Sequence, residues 1–290
     1  MPSTVVRLAS RCVSWYLRSS PVQKGKHAIW RIAAKRFLVA EIKPGLWIRA
    51  SGLTDAEKEL FLRGSKEPRS VGILPELLEP YMVAFDVGAN IGYYSLIVAG
   101  LVGEKGQVHA FEPTPALAER IRLNRALNGL TQIEVNQVAV AEATGTALLH
   151  ISLEDPEANS LFRMEAGTNE ISVSTTTLDA YAADGGIDRI DFIKIDCEGS
   201  ELNVLRGATR LLNTRDPIVL LECNSASLSA CGATVSDLCL FLRDAAYECY
   251  CVEQLRAAPD PVWNLLALKQ SHTKARLAVE RVGLERFDLT

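Results

Sequence analysis

Asp86-Val-Gly-Ala-Asn-Ile-Gly92 is the stretch of this chain whose residue types and spacing most clearly could do chemistry. An apolar run ends there in an acid, and glycines at 88 and 92 let the chain turn sharply and bring backbone amides and a helix N-terminus up to a ligand. A dinucleotide-binding turn would read G-x-G-x-x-G, but Asn90 stands where its second glycine belongs. Asp86 also opposes a pyrophosphate, because like charges at that point repel. A ligand with positive charge and no phosphate, such as S-adenosylmethionine with its sulfonium and ammonium, makes the same acid an attraction. A turn cap would explain Asp86 with no ligand at all, so the loop needs a second constraint. Glu112 supplies one: roughly 20 residues past the glycines, at the end of the next apolar run, an acid can accept both hydroxyls of a ribose. Pro113 restricts its backbone. An acid opening a helix would explain Glu112 alone, though not its combination with the loop.

These residues need a scaffold, and from about residue 80 short β-branched runs alternate with longer helical ones, as in a parallel sheet covered by helices on both faces. The pattern predicts strands over 83–87, 107–111, 133–140 and 190–195, with another at 217–221. Extended stretches are expected over 146–153 and 171–178. Helices are predicted over 93–102, 115–128 (ended by Gly129), 200–212 and 234–245, and a closing hairpin from 248–252 and 262–268. Upstream, Pro44-Gly45 suggests a hairpin over 39–51, and Thr54 caps a helix over 54–62, together a lid or cap. In such sheets ligands bind beyond the carboxyl ends of the strands, so the residues immediately after Val87, Phe111, Val140, Ile195 and Leu221 are placed to touch one.

Three segments in order, Asp86-Val-Gly-Ala-Asn-Ile-Gly-Tyr-Tyr-Ser95, Ala110-Phe-Glu-Pro113 and Ile193-Lys-Ile-Asp-Cys-Glu-Gly-Ser-Glu201, resemble the successive signatures of FkbM-type methyltransferases. The likeness runs from about Glu67 to Asn224 and takes in Asn124…Asn128-Gly-Leu130, Val138-Ala-Val140, Thr177-Leu-Asp179 and Leu205-Arg-Gly-Ala208. It implies an α/β class I methyltransferase fold, a Rossmann-like sheet of seven mostly parallel strands with the last antiparallel, and methyl transfer to a hydroxyl of a saccharide or secondary metabolite. It also implies S-adenosylmethionine contacts at Asp86, Gly88, Ala89, Asn90, Gly92, Tyr93, Glu112, Pro113 and Asp196, with adenine near Gln137, Val138 and Ala139. Cys197 stands where the family more often has valine, a packing change. Residues 1–66 are expected to form a basic helix and cap, and 67–290 the methyltransferase domain.

Methyl transfer to oxygen needs an in-line approach and a base for the hydroxyl proton. Asp196 and Glu222 end neighbouring predicted strands, with Glu198 and Asn224 close behind, so Asp196 is the first candidate for that base and Glu222 the second. Glu198 is a candidate through the family motif. For Glu198 and Glu201 a helix macrodipole would also account for acids at that helix opening. Asp196, Glu222 and Asn224 are oxygen ligands of the kind Mg²⁺ accepts, although such trios occur without metal. Tyr93 and Tyr94 are placed to cover the cofactor, packing onto the sheet accounting for at least one. His109 and His150 read as packing residues, and Ser95 lacks a Ser-His-Asp setting.

Composition limits the alternatives. No apolar run approaches the ~18–20 residues of a membrane span, and the seven cysteines contain no C-x-x-C pair, so most are expected to be buried thiols in a cytoplasmic protein. Residues 1–40 hold eight Lys or Arg and no Asp or Glu, while the remainder is acidic. Nucleic acid is therefore a poor acceptor, the basic stretch lying outside the catalytic domain. As a helix, 4–18 would place Arg7, Arg11 and Arg18 on one face and Val5, Ala9, Val13 and Tyr16 on the other. That suits packing against the domain, peripheral membrane contact or a transit peptide. A nicotinamide-dependent oxidoreductase and a non-catalytic membrane-docking scaffold remain the rival functions. Oligomeric state is not legible, and acceptor choice is expected to reside in the cap and in 154–170.

Overall fold

Val83–Val87 and Phe192–Ile195 are buried almost end to end, Asp86 and Lys194 included, as strands are where both sheet faces are covered. The computed structural model describes residues 2–19, 38–50, 54–152, 160–161, 168–257 and 260–287. Its elements are α1 (Thr4–Ser19), β1 (Leu38–Lys43), β2 (Leu46–Ala50), α2 (Asp55–Arg63), α3 (Pro68–Leu77), β3 (Val83–Val87), α4 (Tyr93–Val102), β4 (Gln107–Phe111) and α5 (Pro115–Asn128). Next come β5 (Ile133–Asn136), β6 (Ala139–Val140), β7 (Gly145–Ser152), β8 (Thr168–Thr176), α6 (Leu178–Asp184), β9 (Phe192–Ile195), α7 (Glu201–Arg206) and α8 (Thr209–Thr214). The chain continues through β10 (Ile218–Asn224), α9 (Ser225–Ala230), α10 (Val235–Asp244), β11 (Glu248–Arg256), β12 (Val262–Leu268) and α11 (Thr273–Val282).

Seven strands form one sheet in the order β11-β12-β10-β9-β3-β4-β5. β12 runs antiparallel to both its neighbours, and the other pairings are parallel. The register sets the site. Val87 lies level with Phe111 and Ile195, and Ile195 with Leu221, so the next residues on β3, β4, β9 and β10 are Gly88, Glu112, Asp196 and Glu222. With a period of two, these share a face with Asp86 and Lys194, one pleat deeper, and with Asn264, which pairs with Glu222.

The core has two layers, one on each side of the sheet. Phe85, Phe111, Ile193, Ile195, Val219 and Leu221 face one, and Ala84, Ala110, Phe192, Leu220 and Leu266 the other. Each buried phenylalanine contributes about 1.5–3 kcal/mol. Ile42, Ile48, Leu60 and Phe61 of residues 1–66 belong to the second layer. Asn128 clamps β2 to α5: its Oδ1 accepts from Trp47 N at 2.8 Å and its Nδ2 donates to Trp47 O at 2.6 Å. Buried Asn124 accepts from Arg49 N and donates to Ile91 O, joining the cap directly to the glycine loop.

The structure departs from the sequence expectations at identifiable places. The stretch 133–140 splits because Gln137-Val138 carries the chain from the large sheet into a second one, β6-β8-β7. The helix over 200–212 breaks at Gly207, where a Cβ would lie 2.2 Å from Ala141 O. Asp179 then caps α8, accepting from Arg210 N and Leu211 N. Helices α3, α6, α9 and α11 have no counterpart among the predicted elements, and α3 hides its pattern behind Pro68 and Pro75. Helix α1 packs through only part of its predicted apolar face, Val13 resting against the core. Ser10 and Ser14 point inward and Val5 and Ala9 outward. Three cysteines rather than most are fully buried, namely Cys223, Cys239 and Cys249, and Cys12 is exposed. Much of 154–170 lies outside the described residues.

Candidate functional site

Gly88 and Gly92 have positive φ (78° and 87°), as does Asn90 (51°), whose side-chain amide makes that region tolerable. Gly88 is irreplaceable on steric grounds, since a Cβ there would come within 1.8 Å of Asp196 O. The turn therefore lies backbone to backbone against the end of β9. Its amides are spent differently from the sequence expectation. Gly88 N and Ala89 N both donate to Phe111 O at 3.0 Å, and Asn90 N donates to Glu112 Oε2, also at 3.0 Å. Glu112 Oε1 accepts from Thr114 N at 2.8 Å. Loop and acid are one bonded unit, and each Glu112 oxygen keeps a lone pair for a ligand.

Burial pushes the Glu112 carboxyl up to about 7 despite those amides, and that of Asp86 up to about 6 despite a hydrogen bond from Ser95. Two buried acids whose charge is penalised fit a ligand that brings positive charge and hydroxyls, and do not fit a phosphate. The cleft over them is lined by Asp86, Gly88, Ala89, Asn90, Tyr93, Glu112, Pro113, Val138, Ala139 and Asp196. Two predicted contacts fall outside. Gln137 is exposed, one residue short of the lining, and Gly92 serves the turn, its Cα packed on Ile121.

Asp196, Glu198 and Glu222 bring carboxylate oxygens within 4.8 Å of one another beside the glycine loop. Asn224 does not join them, because its Oδ1 accepts from Ala226 N and Ser227 N to cap α9. Glu201 does more than favour a helix dipole. Its Oε1 accepts from Cys197 N at 2.9 Å and Gly199 N at 3.1 Å, which ties the 196–200 loop into shape. Burial raises its carboxyl to about 7.

Beneath Asp196 lies a polar group that sequence reasoning missed. Lys194 is 1% exposed, with Nζ 3.9 Å from Asp196 and 5.1 Å from the centre of the Tyr94 ring. Burial opposes its charge, but Asp196, Glu67 and Glu222 outweigh it and hold its pKa above the ordinary value. Glu67, at the N-terminus of α3, accepts from Tyr94 OH and from Asn264 Nδ2 (2.8 Å), and its Oε1 lies 3.5 Å from Lys66 Nζ. Burial works against its charge too, yet Lys66, Lys194 and these donors keep its pKa below the usual range. Burial and the Asp196 charge push the Glu222 carboxyl well above that range. Lys194 sits inside the Ile193–Glu201 motif. Its isolation in an otherwise apolar strand was the one available signal.

A mostly parallel sheet with one antiparallel strand, a glycine turn bonded to an acid at the next strand end, and a donor cleft at the carboxyl edge define a class I S-adenosylmethionine-dependent methyltransferase. Within that class the chain belongs to the FkbM family: residues 86–249 match the Methyltransferase FkbM domain. Relatives include the 2-O-methyltransferase NoeI of Sinorhizobium fredii, 27% identical over 190 residues, covering 58% of this chain and 77% of its own. The hexuronic acid methyltransferase AglP of Haloferax volcanii is 26% identical over 219 residues, 75% of this chain and 82% of its own. The 31-O-demethyl-FK506 methyltransferase FkbM of Streptomyces tacrolimicus is 32% identical over 159 residues, 45% and 60% respectively.

Proposed function

We propose that this methyltransferase acts on a hydroxyl oxygen of a saccharide or secondary metabolite, holding the donor at the Gly88 turn and Glu112 and the acceptor at Asp196, Glu222 and Glu198. The observation that carries this reading is the register that makes Gly88, Glu112, Asp196 and Glu222 the next residues along one edge of the sheet. The names of the three relatives, two of them specifying oxygen and one a hexuronic acid, support an oxygen acceptor.

S-adenosylmethionine supplies an electrophilic methyl group on a sulfonium. Glu112 receives the ribose hydroxyls on the lone pairs its backbone partners leave, and Asp86 lies below as negative charge. Val138 and Ala139 give the adenine an apolar wall, with Pro113 nearby, and Tyr93 borders the same cleft. Tyr93 is held by its hydroxyl, which donates to Lys66 O. Asp196 takes the acceptor's proton, with Lys194 fixing its charge from below. Glu222, whose charge is opposed by burial and by Asp196, faces the acceptor beside it, so the two adjacent carboxyls have unequal proton affinities, as a base and a partner need. Glu198 is steadied by Ser227 Oγ at 3.2 Å and shapes the acceptor side.

Transfer of labelled methyl from S-adenosylmethionine into extracts, followed by mass analysis, identifies the product, which gains one CH₂ on oxygen. Label on nitrogen or carbon, or donor binding without any transfer, would defeat the proposal. Asp196→Asn should slow transfer about 10²–10⁴-fold with donor affinity little changed. An equal loss in donor affinity would move Asp196 to the donor site. The clustered oxygens of Asp196, Glu198 and Glu222 favour a second reading, an acceptor hydroxyl bound through Mg²⁺. Activity lost to a chelator and restored by Mg²⁺ would establish it, and indifference to the chelator leaves Lys194 as the site's cation.

A further inference from the structure

A helix packed on a domain buries its apolar residues and shows water its polar ones, and α1 follows that rule only in part. Its inward face carries two serines: Ser14 Oγ donates to Phe61 O at 3.1 Å, and Ser10 Oγ accepts from Val39 N at 3.3 Å. Val6 and Val13 beside them are half-buried. The outward face carries Val5 (75% exposed), Leu8 (57%), Cys12 and Trp15 (64%), spaced three or four residues apart and thus in one stripe. Val5 and Trp15 are the two most exposed large hydrophobic residues among those described. Among the described residues, the other exposed ones are spread singly, save Leu277 and Val282 on α11, so α1 gathers the most.

Charge names the surface that would cover the stripe. Arg7 and Arg11 run along one side of it, anchored over the Trp47 ring at 5.9 and 5.7 Å, and α1 contains no acid. Glu41 pairs with Arg11, yet residues 1–40 as a whole hold eight basic and no acidic residues in a chain of net charge −4. An aromatic and aliphatic stripe bordered by arginines is the pattern of a helix lying in the headgroup region of a bilayer. An uncharged protein groove would use the stripe without the arginines.

We infer that α1 docks the enzyme on a lipid leaflet rich in anionic phospholipid, through Val5, Leu8, Cys12 and Trp15 with Arg7 and Arg11 at the rim. The helix is fixed to α2 through Ser14, and Leu60 of α2 lines the donor cleft, so docking sets the cleft's position against the membrane. No described helix is long and apolar enough to cross, which makes the contact peripheral.

Sedimentation of the full chain with phosphatidylglycerol-containing and pure phosphatidylcholine vesicles tests this. Binding should be at least tenfold tighter to the anionic vesicles and should weaken as NaCl rises from about 0.1 to 1 M, where screening shortens from about 10 to 3 Å. Leu8→Glu with Trp15→Glu should abolish it while leaving the melting temperature and donor affinity unchanged, because both side chains face solvent. Leu148→Glu, an exposed residue on β7, should retain binding. Absence of vesicle binding, equal binding to both lipids, or binding that survives the double variant overturns the inference. So does a dimer in sedimentation velocity that the double variant dissolves, which would make the stripe a contact between copies.

Discussion

The two halves of the cleft draw on very different amounts of chain. The half proposed for the donor centres on one β-α-β unit, in which a turn after β3 bonds through its own amides to the end of β4 and to Glu112. The acceptor half collects Glu67, Tyr94, Lys194, Glu222 and Asn264 from five separate elements or their ends into one buried polar group. Backbone shape holds the first together and balanced charge the second. A donor common to a whole family suits a rigid cradle. Acceptor groups can vary as long as their charges still cancel.

Four measurements would break or sharpen that contrast. Gly88→Ala should have the largest effect, because the new methyl meets the Asp196 carbonyl and the backbone there is left-handed. A loss of about 4 kcal/mol or more, seen as a collapse in denaturation midpoint and in donor binding, is expected. A mild effect would mean the turn is not the rigid element. Lys194→Met should rank second, at about 3–5 kcal/mol, since it strands Glu67 and Asp196 without their buried cation. A near-neutral result would show that the acceptor half is not held by charge.

The third concerns pH. Asp86 and Glu112 have folded pKa values of about 6 and 7, above their ordinary 3.8 and 4.5, so the folded protein binds more protons than the unfolded chain between those limits. Their contribution to stability is full below about pH 4 and is lost as pH rises through 6 to 7. Donor affinity should rise over the same interval, with protons released, because cationic and hydroxyl groups favour the carboxylates. Calorimetry in buffers of different ionisation enthalpy reads that release, and a pH-independent affinity would remove both acids from the donor site. The smallest effect is expected for Glu222→Gln, under about 1 kcal/mol in stability, because burial and the Asp196 charge already oppose the charge that the substitution removes. A large loss would show that Glu222 carries charge.

Legibility divides along the same line. Strands 83–87 and 107–111 and helices 93–102 and 115–128 could be read to the residue, because their caps and periodicity are local. Gly88, Asn90 and Glu112 were legible for the same reason. Asn124 and Asn128 were visible only as part of a family pattern, and their work, clamping the cap and reaching the Ile91 carbonyl, depends on β2 arriving from elsewhere. Asn224 illustrates the converse, since proximity in sequence suggested a ligand and the local turn claimed its oxygen.

By itself the sequence determined the glycine turn, the acid after the next strand and the order of strands and helices around them, because glycine conformations, caps and apolar period act over a few residues. Only the tertiary structure decided which acids have their charge opposed by burial, that Lys194 lies buried under Asp196, and that α1 turns its serines inward. Burial and the sum of neighbouring charges are properties of segments brought together, and no single segment carries them.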